Sequence, residues 1–272
     1  MKILFISLGC DKNLADSEEM LGLLTGSGHE IVDSEEEAEA IVINTCCFIH
    51  DAKEESVNTI LEMAEYKKTG KCKALVVTGC MAQRYKEEIT QEIPEVDAVL
   101  GTTSYGDIVK ALNEVQAGHV FQEFRDINEL PEDSGRRVLT TGGHFGYLKI
   151  AEGCDKHCTY CIIPSLRGSF RSVPEERLLA QAEYMASQGV KELILVAQET
   201  TVYGTDLYGR KTLHILLKKL CQIRGIRWIR VLYCYPEEIY DELIQVMKEE
   251  KKICNYLDLP IQHASDRILK RM

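Results

Sequence analysis

The sequence predicts an α/β protein, with a doubly wound parallel sheet at its N-terminus followed by a β/α barrel that does not close. Three observations carry that expectation. Short apolar, β-branched runs alternate with segments of helical period along nearly the whole chain, the pattern of strands crossed by helices. A turn-rich, charged stretch at 118–146, containing NELPEDSGRR and TTGG, interrupts the alternation once. It divides the chain into an N-terminal domain at 1–117, a linker, and a second domain at 147–272. Third, the strand-like runs end in Gly-Cys, Thr-Cys or polar pairs. In open α/β sheets, ligands gather beyond those carboxyl ends.

In the first domain residues 2–7 read as a buried strand, followed at once by Gly9-Cys10. Asp16 or Ser17 is expected to cap a helix whose first turn holds Glu18 and Glu19, with Gly26 and Gly28 ending it. A strand at 40–44 runs into Thr45-Cys46-Cys47, and a helix at 52–68 shows Val57, Ile60, Leu61 and Ala64 on one face. A strand at 74–78 runs into Gly79-Cys80, and a helix at 82–92 stops before Pro94. A short strand at 97–101 and a helix at 107–116 complete the domain. Cys10, Cys46 and Cys80 thus recur at the same position of successive units, which should bring three thiols to one sheet edge. Cys47 competes with Cys46, but adjacent residues point differently and Cys46 is favoured. Cys72, Cys221, Cys234 and Cys254 read as small buried hydrophobes.

The second domain opens with YLKIAEGCDKHCTYCIIPSLRG at 147–168. A strand leads through Gly153 into Cys154, Cys158 and Cys161, spaced C-x3-C-x2-C. Three soft thiolates this close can wrap one small metal centre. A four-iron cluster held by three of them keeps an open iron, the mark of a centre that does chemistry. The competing structure is a zinc site with His157 or a remote residue as fourth ligand. Arg167 and Arg171, close to the motif, are expected by default at the solvated surface, the alternative being that they steady a carboxylate. A helix at 172–189 buries Leu178, Leu179, Ala182, Met185 and Ala186. Strands at 192–197, 228–232 and 256–259 alternate with helices at 213–223 and 237–249, and a last helix signal begins at Ser265. Cys154, Gln198, Glu199, Tyr233 and Gln262 fall near strand ends, the active face of a β/α barrel. Barrels of this type continue further, so the sequence reads as C-terminally truncated.

The 272 residues are 45% hydrophobic and 28% charged, suited to globular domains with real cores. An odd count of 11 cysteines argues for metal or redox chemistry over a disulfide framework. The opening run at 3–8 is too short for a signal core, and no stretch is long enough to span a membrane, so a cytoplasmic location is expected. A net charge of −11 favours a basic protein partner over nucleic acid as direct substrate.

C-x3-C-x2-C after a strand resembles the radical S-adenosylmethionine (radical SAM) enzymes, and the two cysteine sets together resemble their methylthiotransferase branch. The stretches SLGCDKNLADSE, INTCCFIHDAKEES, GCMAQRY, AEGCDKHCTYCIIPSLRG, QETTVYG and PIQHASDRILKRM carry the resemblance, so it covers nearly the whole chain. It implies two 4Fe-4S clusters, one on Cys10, Cys46 and Cys80, and a second, SAM-binding one on Cys154, Cys158 and Cys161. It further implies that SAM yields a deoxyadenosyl radical, that this removes a hydrogen from an unactivated carbon, and that the first cluster delivers sulfur there. Gln198, Glu199 and Gln262 would then contact SAM; Tyr160 would meet adenine or the core. No catalytic residue is singled out. The tRNA-modifying members show Gln-Asn where this chain has Gln198-Glu199, and Gln-Ser-Gly-Ser where it has Gln262-His263-Ala264-Ser265. The members that modify ribosomal protein show Gln-Asp-Thr at the first of these, which Glu199 nearly matches. Cys47 departs from the usual Gly or Ser. The implied substrate is therefore the β-carbon of an aspartate in the twelfth small-subunit ribosomal protein. The implied partners are that protein and a flavodoxin- or ferredoxin-like electron donor, with the enzyme a monomer. The alternatives are a tRNA adenosine methylthiotransferase and an electron-transfer iron–sulfur protein.

Overall fold

Strand β1 (Lys2–Ser7) is the centre from which the first sheet grows in a computed structural model that describes residues 1–132, 135 and 137–272. Asp133, Ser134 and Arg136, in the expected linker, lie outside the described residues. The chain folds as two units, Met1–Val138 with Ser165–Arg167, and Leu139–Pro164 with Gly168–Met272.

In the first unit β1 is followed by α1 (Asp11–Gly26), β2 (Glu30–Val32), β3 (Ala40–Thr45), α2 (His50–Thr69) and β4 (Ala74–Gly79). Then come α3 (Cys80–Arg84), α4 (Lys86–Glu92), β5 (Ala98–Leu100), α5 (Ile108–Gln116) and β6 (Phe121–Glu123). The described strands form one parallel sheet in the order β2-β1-β3-β4-β5-β6. The order reverses at β1, so the crevice where ligands collect lies between the ends of β1 and β3. Strands β3 and β4 are buried at every residue, as a parallel strand covered on both faces requires. On one face Met20 and Leu24 of α1 and Ile108 and Leu112 of α5 pack on Ile3, Val42, Val76 and Leu100. Each such burial contributes about 1.5–3 kcal/mol. Ile60 and Met63 of α2, which packs on β3 and β4, are buried as well.

Two features differ from expectation here. Helix α1 begins at Asp11, not at an Asp16 or Ser17 cap, because those side chains find tertiary partners inside the unit. Strands β2 and β6, three residues each, are too short to leave a period in the sequence, and β6 lies in the stretch expected to be linker.

The second unit contains β7 (Phe145–Lys149), β8 (Ala151–Glu152), β9 (Arg171–Ser172), α7 (Glu175–Ser187) and β10 (Glu192–Val196). It continues with α8 (Thr205–Tyr208), α9 (Leu213–Cys221), β11 (Trp228–Val231), α10 (Asp241–Glu249), β12 (Ile253–Leu257) and α11 (Asp266–Leu269). Between β8 and β9 the short helix α6 (Ile163–Arg167) leads from this unit into the first. The parallel sheet runs β12-β11-β10-β7, the sequential order of successive β/α units. Leu193, Leu195, Leu216, Leu217, Leu220, Ile229 and Leu243 fill its core. Strands β8 and β9 pair antiparallel at the base of the cysteine loop, a two-residue ladder with no sequence signature. Strand β12 lies earlier than the expected 256–259, because Ile253 is the residue that reaches the core. No helix among the described residues is long and apolar enough to cross a membrane.

Candidate metal centres

Cys10, Cys46 and Cys80 follow β1, β3 and β4, three adjoining strands, at one carboxyl edge. Thr45 pairs with Gly79 in register, so the residues after them, Cys46 and Cys80, leave the sheet side by side. Gly9 brings β1's exit against them. It holds φ +92°, and a Cβ there would lie 2.7 Å from the Cys46 Cβ and 3.2 Å from its Sγ. Cys10 is exposed at the N-terminus of α1.

A buried polar network fixes these strand ends. Asn13, fully buried, donates from Nδ2 to the carbonyls of Leu8 (3.2 Å) and Thr45 (3.0 Å), each shortly before a cysteine. Its Oδ1 lies 3.8 Å from the Cys80 Sγ. Asn44 donates to the Asn13 carbonyl and to the Ser17 Oγ, both at 2.9 Å. Ser56 of α2 holds Cys46 through its backbone: the Cys46 N–H donates to Ser56 Oγ at 3.0 Å, and that hydroxyl donates to the Cys46 carbonyl at 2.8 Å. Cys47 is turned otherwise, with its thiol on the Cys80 carbonyl at 3.3 Å.

Burial raises the Cys46 and Cys80 thiols; Cys10 raises both further, and Arg167 pulls both down. The three sulfurs therefore lie within each other's electrostatic reach. Arg167 is not at the surface, as its sequence context suggested, but buried to 3% exposure. Its Nη1 donates to Asp16 Oδ2 at 2.8 Å and its Nη2 to Asn13 Oδ1 at 2.5 Å.

In the second unit the loop between β8 and the helix at Ile163–Arg167 carries Cys154, Cys158 and Cys161. Cys154 is buried and the other two half-buried. The Cys154 N–H donates to the Gly168 carbonyl at 3.1 Å, and the Cys161 N–H to that of Cys158 at 3.0 Å, which curls the loop on itself. The Lys156 N–H points at the Cys154 Sγ, 3.4 Å away. Burial raises the Cys154 thiol, and Cys161 and Cys158 raise it further, so both lie within its electrostatic reach. The Lys156 ammonium pins the loop to Glu237 (2.9 Å) and Glu238 (3.2 Å), over the ring of Tyr235.

Of the residues expected to contact SAM, Glu199 is buried and close enough to raise the Cys154 thiol. Its Oε1 accepts from the Thr201 N–H at 3.0 Å and from the Thr201 hydroxyl. Its Oε2 has no hydrogen-bond partner among the described residues, nor does the Gln198 Oε1. Burial raises the Glu199 carboxyl, with Thr201 acting against it. Gln262 is exposed at φ +61° and accepts from the Tyr160 hydroxyl at 2.7 Å. Tyr160, 57% exposed, is no core residue. Tyr233 also holds a positive φ, +59°, at the end of β11.

These donor sets fit the groups implied for them. Three thiols at one strand edge, or in one loop, within electrostatic reach of one another suit an iron–sulfur cluster. Among the described residues no three His, Cys, Asp or Glu side chains converge closely enough to hold a metal ion, and His157 is exposed. A single zinc would draw its sulfurs to about 2.3 Å from one point, whereas a cluster takes them at separate corners. The buried, unsatisfied carboxylate oxygen of Glu199 suits a cationic ammonium. Cys72, Cys221 and Cys234 are buried, and Cys254 is half-buried. Asn13, Asn44 and Ser56 were not legible as site residues, since short polar side chains near turns are common. The only trace is their closeness in sequence to Cys10 and Cys46.

Comparison with known proteins follows the same division. Residues 2–101 match the model described as Uncharacterized protein family UPF0004, and residues 148–272 match the Radical SAM superfamily. The ribosomal protein uS12 methylthiotransferase RimO of Lachnoclostridium phytofermentans is 67% identical over all 272 residues, and its namesakes from Clostridium botulinum (strain Eklund 17B) and Clostridioides difficile are 52% and 51% identical. The chain spans 62%, 61% and 61% of the length of these curated relatives, in that order. Among solved structures, the radical S-adenosylmethionine methyltransferase TsrM of Kitasatospora setae, with cobalamin and a 4Fe-4S cluster bound, shares the fold. Its TM-score is 0.65 at 11% identity, covering 98% of this chain and 62% of that one. With both family models in this order and such identity along its whole length, the chain belongs to the radical SAM methylthiotransferase family, in the branch of the RimO proteins.

Proposed function

We propose that the chain is the cluster-bearing part of an enzyme that methylthiolates the β-carbon of an aspartate in ribosomal protein uS12. The observation that carries this is the pair of three-thiol sets, one in each unit, in a chain 67% identical to a protein of that name. Cys10, Cys46 and Cys80 hold one 4Fe-4S cluster; Cys154, Cys158 and Cys161 hold the other. When bound, the clusters and SAM supply the sulfur, the methyl group and the radical.

The protein's own residues do the positioning. Asn13, Asn44 and Ser56 hold the strand ends so that three thiols from distant parts of the chain meet at one edge. Lys156 fixes the second cysteine loop. Glu199 and Gln198 receive the SAM ammonium, and Gln262 with Tyr160 borders the same cysteines. The acidic balance of −11 favours encounter with a basic ribosomal protein. The setting is a reducing cytoplasm, with a small flavodoxin- or ferredoxin-like electron donor and a monomeric enzyme.

Anaerobic reconstitution with iron and sulfide tests the ligand sets: about eight irons per chain are expected for wild type and about four for Cys10→Ala or Cys158→Ala. The full-length protein is then assayed with uS12 and with tRNA. A methylthio group found on tRNA adenosine and absent from uS12 reverses the substrate assignment. Fully loaded protein that never cleaves SAM under strong reductant makes it an electron carrier.

A further inference from the structure

Arg167 stands out among the charged groups that the proposed reaction does not use. It lies in the short segment Ser165–Arg167, which belongs with the first unit although it follows the second cysteine set in sequence. The segment is anchored by the Thr102 hydroxyl, which donates to the Leu166 carbonyl at 2.8 Å. The guanidinium is buried to 3% exposure and donates to Asp16 and Asn13 of α1. Asn13 is also the residue whose Oδ1 faces the Cys80 Sγ. A buried charge needs hydrogen-bonded partners, and Asp16 and Asn13 meet that need. Tethering a segment could nonetheless be done by an apolar side chain, whereas this one brings a permanent positive charge to the thiols.

We infer that Arg167 is a positioning residue of the first three-cysteine site, the fixed cation that offsets the negative charge of its thiolates and of the cluster they hold. The inference rests on the reading of Cys10, Cys46 and Cys80 as cluster ligands. A thiolate-ligated cluster gains one negative charge on reduction, and a fixed cation within a few ångströms favours the reduced state. The same charge favours a small anionic sulfur ligand, hydrosulfide or methanethiolate, on an open iron. Asp16 opposes it, so the two residues should act on the cluster with opposite sign.

The test uses the whole chain with Cys154, Cys158 and Cys161 all replaced by alanine, so that only the first set loads. Iron content is measured first, then the one-electron reduction by EPR-monitored titration. Arg167→Gln should disfavour reduction about tenfold, a drop of about 59 mV for a one-electron couple. Arg167→Lys, which keeps the charge and loses the planar fork, should recover most of that shift. Asp16→Asn, which leaves the guanidinium uncompensated, should move the potential the other way. A purely structural tether predicts no such signs: unchanged potentials in loaded Arg167→Gln and Asp16→Asn protein, or shifts of the same sign, overturn the inference. If Arg167→Gln does not load iron, Asp16→Asn decides it: a raised potential with Arg167→Lys close to the parent supports the inference, and an unchanged or lowered potential in Asp16→Asn overturns it. Failure of the parent triple variant itself to bind iron would instead overturn the ligand assignment, and the inference with it.

Discussion

Replacing Asn13 with alanine is the sharpest probe of how the first site is held. Asn13 donates to the Leu8 and Thr45 carbonyls and accepts from Arg167, all within a fully buried environment. A neutral buried hydrogen bond contributes about 1 kcal/mol net, and one to a charged group about 2 kcal/mol. Two of the first kind and one of the second come to about 4 kcal/mol, and local relaxation or water entry should leave roughly 3 kcal/mol lost. At 1.4 kcal/mol per tenfold, local opening of the β1 and β3 ends becomes about a hundredfold more frequent. Hydrogen exchange of the metal-free protein, read by mass spectrometry, gives the assay. The Leu8 amide, bonded to the Asn44 carbonyl at 2.9 Å, reports the opening, and peptides covering β10 serve as internal control. A change below threefold at Leu8, or equal acceleration in β10, would refute the view that Asn13 ties these strand ends together.

Gly79→Ala should destabilise the first unit by about 3 kcal/mol, because φ is +92° and the new methyl would meet the Asn44 side chain and the Thr45 carbonyl; a denaturation midpoint equal to wild type would contradict it. Cys47→Ser should leave the iron content of the reconstituted protein unchanged, since its thiol is engaged with the Cys80 carbonyl; iron analysis decides. Glu199→Gln should weaken SAM binding about tenfold with little loss of stability, measured by calorimetry on the reconstituted protein. Hydrogen bonds from Lys211 and Lys156 lower the Glu238 carboxyl below its ordinary 4.5. A depressed carboxyl stabilises fully above its unfolded pKa and loses that contribution as pH falls through the lowered value. Protection of the Cys154–Cys161 loop should therefore weaken as the pH falls below 4.5 and through the lowered value, and Lys156→Met should flatten that dependence.

Much of the molecule was legible in the letters alone. The alternation of β-branched runs with helical segments specifies parallel sheets, because buried parallel strands such as Ala40–Thr45 and Ala74–Gly79 must be apolar throughout. Equal placement of Cys10, Cys46 and Cys80 after three strands determined that their thiols share an edge, since a strand end is fixed by its ladder. What only the tertiary structure decided lies in contacts between distant residues. Asp16 reads as a helix cap until Arg167, 151 positions later, claims its carboxylate. Arg167 reads as a surface cation until Ser165–Arg167 is seen to belong with the first unit. Local propensity governs where the chain bends. A buried charge answers to whichever partner the fold delivers, and no window of neighbouring residues contains that partner.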